Sequence, residues 1–181
     1  MRAPTISLLT LVASAGCSST SVHLEAKVGS PSQPIKKVAV GPLLNRSGHR
    51  GADRIFRGLL EQALRSETEL DVVELPPDVR LDPEKMDRAL IGEVVAKLEV
   101  DALLIGTVFV FGYASNPNKG ERKLPSVRAD LRLVEAASGR VVWAARLEVT
   151  DSPGVAHPGR TLTDIAGEAA FRLAESLGEI L

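Results

Sequence analysis

The chain is short of the residues that most chemistry needs. It has one cysteine, Cys17, in 181 residues. A single thiol excludes an internal disulfide. The three histidines, His23, His49 and His157, share no metal-ligand spacing with one another or with Cys17. Neither G-x-G-x-x-G nor G-x-x-x-x-G-K occurs, so no Gly-rich loop is available to cradle a phosphate. The G-x-S-x-G elbow of a hydrolase is missing too. Aromatic residues make up 3%, which leaves few platforms for stacking on bases or sugars. The net charge of −1 supplies no general attraction to nucleic acid. Asp53, Asp82 and Asp164 sit near expected helix starts, where a carboxylate favours the dipole. No catalytic centre, metal or cofactor is therefore expected, and no nucleic-acid partner.

What is present begins with an address. Met1-Arg2 carries one positive charge, Ile6 to Ala13 is a short apolar run, and Ser14-Ala15-Gly16 are small. This is the layout of a secretory signal and is too short to span a bilayer as a stable helix. Ser14-Ala15-Gly16-Cys17 resembles the lipobox of bacterial lipoproteins, in which the cysteine becomes the lipidated first residue of the mature chain. Ordinary secretion is the other reading, because Ala13-Ser14-Ala15 also fits an A-x-A cleavage site. The lipobox resemblance assigns lipid attachment to Cys17. Its sorting rule, with Ser18 next to the cysteine, implies the periplasmic face of the outer membrane.

The expected organisation is a signal peptide at 1–16, a flexible tether at 17–36 and a single α/β domain at 37–181. Ser18 to Lys36 is rich in Ser, Pro and Lys and has no sustained period. Its nineteen residues reach at most about 65 Å when fully extended. Lys37 to Leu44 reads as a strand, and Asn45 to Gly48 as a turn. Ile55, Phe56, Leu59, Leu60, Ala63 and Leu64 form the apolar stripe of a helix. Leu70 to Leu75 is a short strand stopped by Pro76-Pro77. Asp82-Pro83 is a helix start, with a stripe through Met86, Leu90, Val94, Val95 and Leu98. Residues 102 to 111 are apolar on both alternating sets, as in a strand covered on both faces.

The stretch from Val127 to Val149 is the organising element. Val127, Ala129, Leu131 and Leu133 alternate with Arg128, Asp130 and Arg132. After a turn at Gly139, Val141, Trp143, Ala145, Leu147 and Val149 form a second apolar set. The two runs predict an antiparallel hairpin with one wet face. Thr161-x-x-Asp164 opens a last helix with a capping-box pattern. The order is β-α-β-α-β-β-β-α, and the expected fold class is α/β (α+β), a single mixed sheet with packed helices. The polar side of the hairpin carries Arg128, Arg132, Arg140 and Arg146. The loop before it carries Lys119, Arg122 and Lys123. Solvation or edge protection accounts for such charges in most chains. As an interaction surface they nominate Arg122, Arg128 and Arg132 as partner-binding residues, because arginine is favoured at interfaces.

Val38-Ala39-Val40, Pro42, Asn45 and Ser47, followed by Ser138-Gly139-Arg140-Val141-Val142-Trp143, resemble the periplasmic lipoproteins of the CsgG/LpoB type. The fold of the TolB N-terminal domain is a more distant relative. The resemblance runs from about Lys36 to Leu181 and its motifs are structural. It implies an outer-membrane-anchored, non-enzymatic adaptor of envelope assembly. One branch implies a peptidoglycan-synthase activator. The other implies a homo-oligomeric secretion component, so the partner is an envelope protein or a second copy of the chain. An enzyme with an unrecognised site is the remaining alternative. The 113–126 connection is too short and polar for the membrane hairpins of the pore branch.

Overall fold

A computed structural model describes residues 8–10, 20–76, 88–115, 123–151 and 160–181. Its elements are β1 (Leu8–Thr10), β2 (Thr20–Val28), β3 (Lys37–Asn45), α1 (Ala52–Glu67), β4 (Asp71–Val73), α2 (Arg88–Leu98), β5 (Ala102–Ser115), β6 (Lys123–Glu135), β7 (Val141–Asp151) and α3 (Leu162–Gly178). From Lys37 onward this is the expected order, on one mixed sheet. The spatial order of strands is β1-β2-β7-β6-β5-β3-β4. β3 pairs in parallel with β4 and β5, and all other pairs are antiparallel.

Crossover handedness decides which face each helix covers. The chain steps one way from β3 to β4 and then back past β3 to β5. Two right-handed connections made in opposite directions put their helices on opposite faces. Accordingly α1 packs, together with α3, over Val38, Val40, Leu104, Leu131, Trp143 and Leu147. On the other face α2 sets Ile91, Val94, Val95 and Leu98 against Ala39, Leu103, Ile105 and Val134. Residues 102 to 111 thus contribute to both cores, as their doubly apolar pattern requires. α2 covers only the β3–β5 end of its face. Among the described residues no helix lies over the same face of β6, β7 and β2.

The local chemistry explains the boundaries. Asn45 and Ser47 turn the chain from β3 into α1. Asn45 Oδ1 accepts from Ser47 N and Oγ at 3.1 and 2.7 Å, and Asn45 Nδ2 donates to His49 O at 2.8 Å. Gly51 then enters the helix at φ 82°, where a Cβ would be strained. The capping box of α3 forms as its spacing predicts: Asp164 N donates to Thr161 Oγ1, and Thr161 N donates to Asp164 Oδ2. The Asp82-Pro83 helix start lies outside the described residues.

Two parts of the N-terminal region differ from expectation. Thr20 to Val28, read as tether, is a nine-residue strand paired along its whole length with β7, from Thr20↔Asp151 to Val28↔Trp143. Its alternation of Leu24, Ala26 and Val28 with His23, Glu25 and Lys27 is real but weak. It gains a partner only once the hairpin offers β7's outer edge. The 29–36 connection is also held: Gly29 N donates to Val142 O at 2.7 Å, and Asp101 Oδ2 accepts from Lys36 N and Lys37 N at 2.9 Å each. Leu8–Thr10, inside the segment read as a signal peptide, adds a three-residue strand along Glu25–Lys27.

Candidate partner-binding face

The uncovered face is an ordered array of charges. Ladder registers place Glu25 beside Arg146, Arg146 beside Asp130, and Asp130 beside Thr107. The adjacent row runs Lys27, Ala144, Arg132, Ile105, and the row on the other side runs His23, Glu148, Arg128, Val110. Cross-strand neighbours on one face lie about 4.5–5.5 Å apart at Cβ, so opposite charges across a ladder interact. The strongest such contact is Arg146 with Asp130, with Nε and Nη2 donating to the carboxylate at 3.1 and 2.9 Å. Asp130, through hydrogen bonding first, raises the pKa of Arg146, and Glu25 adds to the effect.

Arg128 and Arg132 flank that pair on β6, and both are exposed, as their alternation predicts. Neither has a carboxylate partner among the described residues. Arg128 instead lies over the ring of Phe109, 5.5 Å from its centroid. Phe109 follows Leu103, Ile105 and Thr107 onto this face by plain alternation; the ladder pairs Val108 with Ala129 and Val110 with Arg128, leaving Phe109 as the extra residue of a bulge that sends Phe111 into the covered core. A second bulge, at Leu133/Val134, upsets the expected apolar set of β7. Val142 goes into the core, while Val141, expected inside, is 47% exposed.

A groove of about 460 Å³ runs along this face. Pro42, Ile105 and Phe109 form its apolar side, and Lys27, Arg132 and the Arg146–Asp130 pair its polar side. Close backbone packing fixes its floor: a Cβ on Gly106 would meet Asp130 O at 2.3 Å and Leu131 Cδ2 at 2.5 Å. An apolar strip beside unpaired arginines suits a protein surface with acidic and apolar side chains. Of the nominated residues the structure brings Arg128 and Arg132 together on one strand face. Arg122 and Cys17 lie outside the described residues. Sequence reasoning missed Glu25, Lys27 and Phe109; the first two were hidden in the supposed tether, and the third stands in a strand apolar on both sets, whose pattern does not tell which face stays open.

The other perturbed carboxylates lie elsewhere. Glu135, buried at the hairpin turn, accepts from Ser32 N and Oγ at 2.5 and 2.8 Å, from Gln33 N at 3.2 Å and from Ser138 Oγ. These bonds, the Ser138 hydroxyl foremost, hold its pKa down to about 2. Burial pushes Glu61 on α1 up, against the pull of Arg57 at 3.2 Å. Asp164 is lowered by its capping bonds to Thr161. No two of these converge on one cavity. Among the described residues no three His, Cys, Asp or Glu side chains are placed to hold a metal, and no helix is long and apolar enough to cross a membrane.

No family model matches the chain, and no curated protein matches it by sequence. Solved structures do match in fold. PelC from Paraburkholderia phytofirmans, described as a dodecamer, superposes with a TM-score of 0.66 at 18% identity, over 87% of this chain and 98% of that one. Lipoprotein GNA1162 from Neisseria meningitidis superposes with a TM-score of 0.51 at 18% identity, over 80% of this chain and 99% of that one. At that identity the likeness is one of fold, and the fold is one that a bacterial lipoprotein and an oligomer-forming protein both use.

Proposed function

We propose that this chain is a non-enzymatic adaptor of the bacterial envelope, anchored through Cys17 to the periplasmic face of the outer membrane. It works by binding another envelope protein through the open sheet face. The observation that carries the reading is that face itself: Arg128 and Arg132, with no ion pair to a carboxylate among the described residues, beside the groove whose apolar side includes Phe109 and Ile105. The scattered placement of Glu61, Glu135 and Asp164 supports a binding role over a catalytic one. A peptidoglycan synthase remains a candidate partner. Crosslinking capture from envelope extract, with the wild-type chain and with Arg128→Glu/Arg132→Glu, tests the reading. Loss of one specific crosslinked species in the variant supports it, and identical capture by both chains refutes it.

Self-association is the second reading, and a specific observation favours it. Removal of residues 1–16 would take β1 away and leave β2 as a free edge, available to another strand. The dodecameric state of PelC, whose fold this chain shares, points the same way. Light scattering separates the two: a monomer fits an adaptor for a different protein, a closed assembly fits self-association.

A further inference from the structure

The strand at Thr20–Val28 changes how far the domain can stand from its anchor. Only Ser18 and Ser19 separate Cys17 from the first residue of β2. Three Cα steps span at most about 11 Å, against about 65 Å for a free tether ending at Lys36. Thr20 is also pinned. The Arg160 guanidinium donates to Thr20 Oγ1 and pairs with Glu168 on α3 at 2.6 Å, with both charged side chains mostly buried. The chain therefore leaves the fold at one defined end of the sheet.

The registers show what else lies at that end. β2 begins there and β7 ends there, at Thr20↔Asp151. The β5–β6 hairpin reaches the same level and continues past it through Tyr113↔Pro125 to Ser115↔Lys123. β3 runs parallel to β5, so the β3–α1 turn and the first turn of α1 face the same way. The His49 ring, 5.2 Å from Phe111, holds that turn against β5. Three exposed apolar side chains lie at this end, on the helix-covered side: Val22 on β2, Ile55 on α1 and Tyr113 on β5, the last 59% exposed. At the same end Arg50, Arg54 and Lys123 are exposed. Of the carboxylates at this end, Asp53 is engaged by Asn45, Asp164 by Thr161 and Glu168 by Arg160, and Asp151, beside Thr20, is not free either.

We infer that this end of the molecule, which carries Tyr113 and Ile55 together with Arg50, Arg54 and Lys123, rests on the lipid surface. The inference depends on the Cys17 anchor proposed above. An amphipathic ring at headgroup depth, apolar side chains beside it and cations facing anionic lipid are the residue types that settle at a bilayer interface. The short link leaves the domain no room to turn this end away. The open sheet face then stands roughly upright on the membrane, so its partner must also lie at the membrane surface.

The test uses the acylated chain in vesicles of phosphatidylethanolamine and phosphatidylglycerol that contain a nickel-chelating lipid. Because the native thiol is consumed by the lipid, a nitroxide can be placed at Tyr113→Cys or, at the opposite end of β7, at Val141→Cys. Nickel relaxation several-fold stronger at 113 than at 141 is expected. Acyl mass and co-flotation present, with equal relaxation at the two sites or stronger relaxation at 141, overturns the seating and leaves the anchor standing. Absence of both acyl mass and co-flotation overturns anchor and seating together.

Discussion

Arg146 on β7 and Asp130 on β6 neutralise each other across the ladder, through two hydrogen bonds at 3.1 and 2.9 Å. The consequence falls on their neighbours. With the one carboxylate of β6's open face already taken, Arg128 and Arg132 on either side of it form no ion pair among the described residues, although Glu148 stands opposite Arg128 on β7. The same pattern that makes Arg146 structural makes these two available. Charge reversal at Arg128 and Arg132 together should abolish or strongly weaken partner capture and lower the thermal midpoint only slightly, since both side chains are exposed and the one like-charge pair created across the ladder is Arg128→Glu with Glu148. Arg146→Glu should lower the midpoint more, because it sets a third carboxylate beside Asp130 and Glu25. A double variant at 128 and 132 that unfolds would contradict this division of roles.

Glu135 ties the 29–36 connection to the hairpin turn through Ser32, Gln33 and Ser138. Its folded pKa of about 2 lies below the ordinary 4.5. The unfolded chain thus binds the proton more readily, and stability from this group is complete above about pH 4.5 and lost as pH falls towards 2. Denaturant midpoints measured across that window should fall for the wild type. In Glu135→Gln the midpoint should start lower at pH 7 and vary less with acid.

Trp143 is 1% exposed at the centre of the larger core, and its Nε1 has no hydrogen-bond partner there. Trp143→Ala should cost about 3–5 kcal/mol, as large-to-small core changes do. Trp143→Phe should cost clearly less, because it keeps most of the ring and abandons no hydrogen bond. Gly106→Ala should destabilise by about 1–3 kcal/mol through overpacking against Leu131. Urea titrations of the three variants measure each value.

Arg160 joins the start of β2 to α3 through Thr20 and Glu168. Arg160→Ala should leave the sheet from β7 to β4 intact and let β2 fray from its first residue. Hydrogen exchange should then accelerate at the amides near Thr20 and stay unchanged on β5 and β6. Uniform acceleration across the sheet would show that β2 does not open separately.

Cys17→Ser should release the chain from the membrane fraction, and mass spectrometry of the wild-type mature N-terminus should find acyl mass on Cys17. A mature chain beginning at Gly16 without acyl mass would instead fit ordinary secretion.

By itself the sequence determined the elements whose pattern is complete within one segment. Val127–Leu133 and Trp143–Val149 alternate strictly, so their faces were legible without a partner. Thr161 and Asp164 carry their cap within four residues. The stripe of α1 fixes its buried side through Ala52, Phe56, Leu60, Ala63 and Leu64, while Ile55, in its first turn, lies off that stripe and faces out. The tertiary structure decided whatever depends on a neighbour. Thr20–Val28 is a strand because β7 has an edge to offer, and its own weak alternation does not encode that edge. Phe111 and Val141 reached their faces through bulges, and a bulge is a mismatch between two strands, invisible in either one alone. The same holds for the open face. Its arginines could be read from β6, but that α2 stops short of them follows from how the crossovers stack.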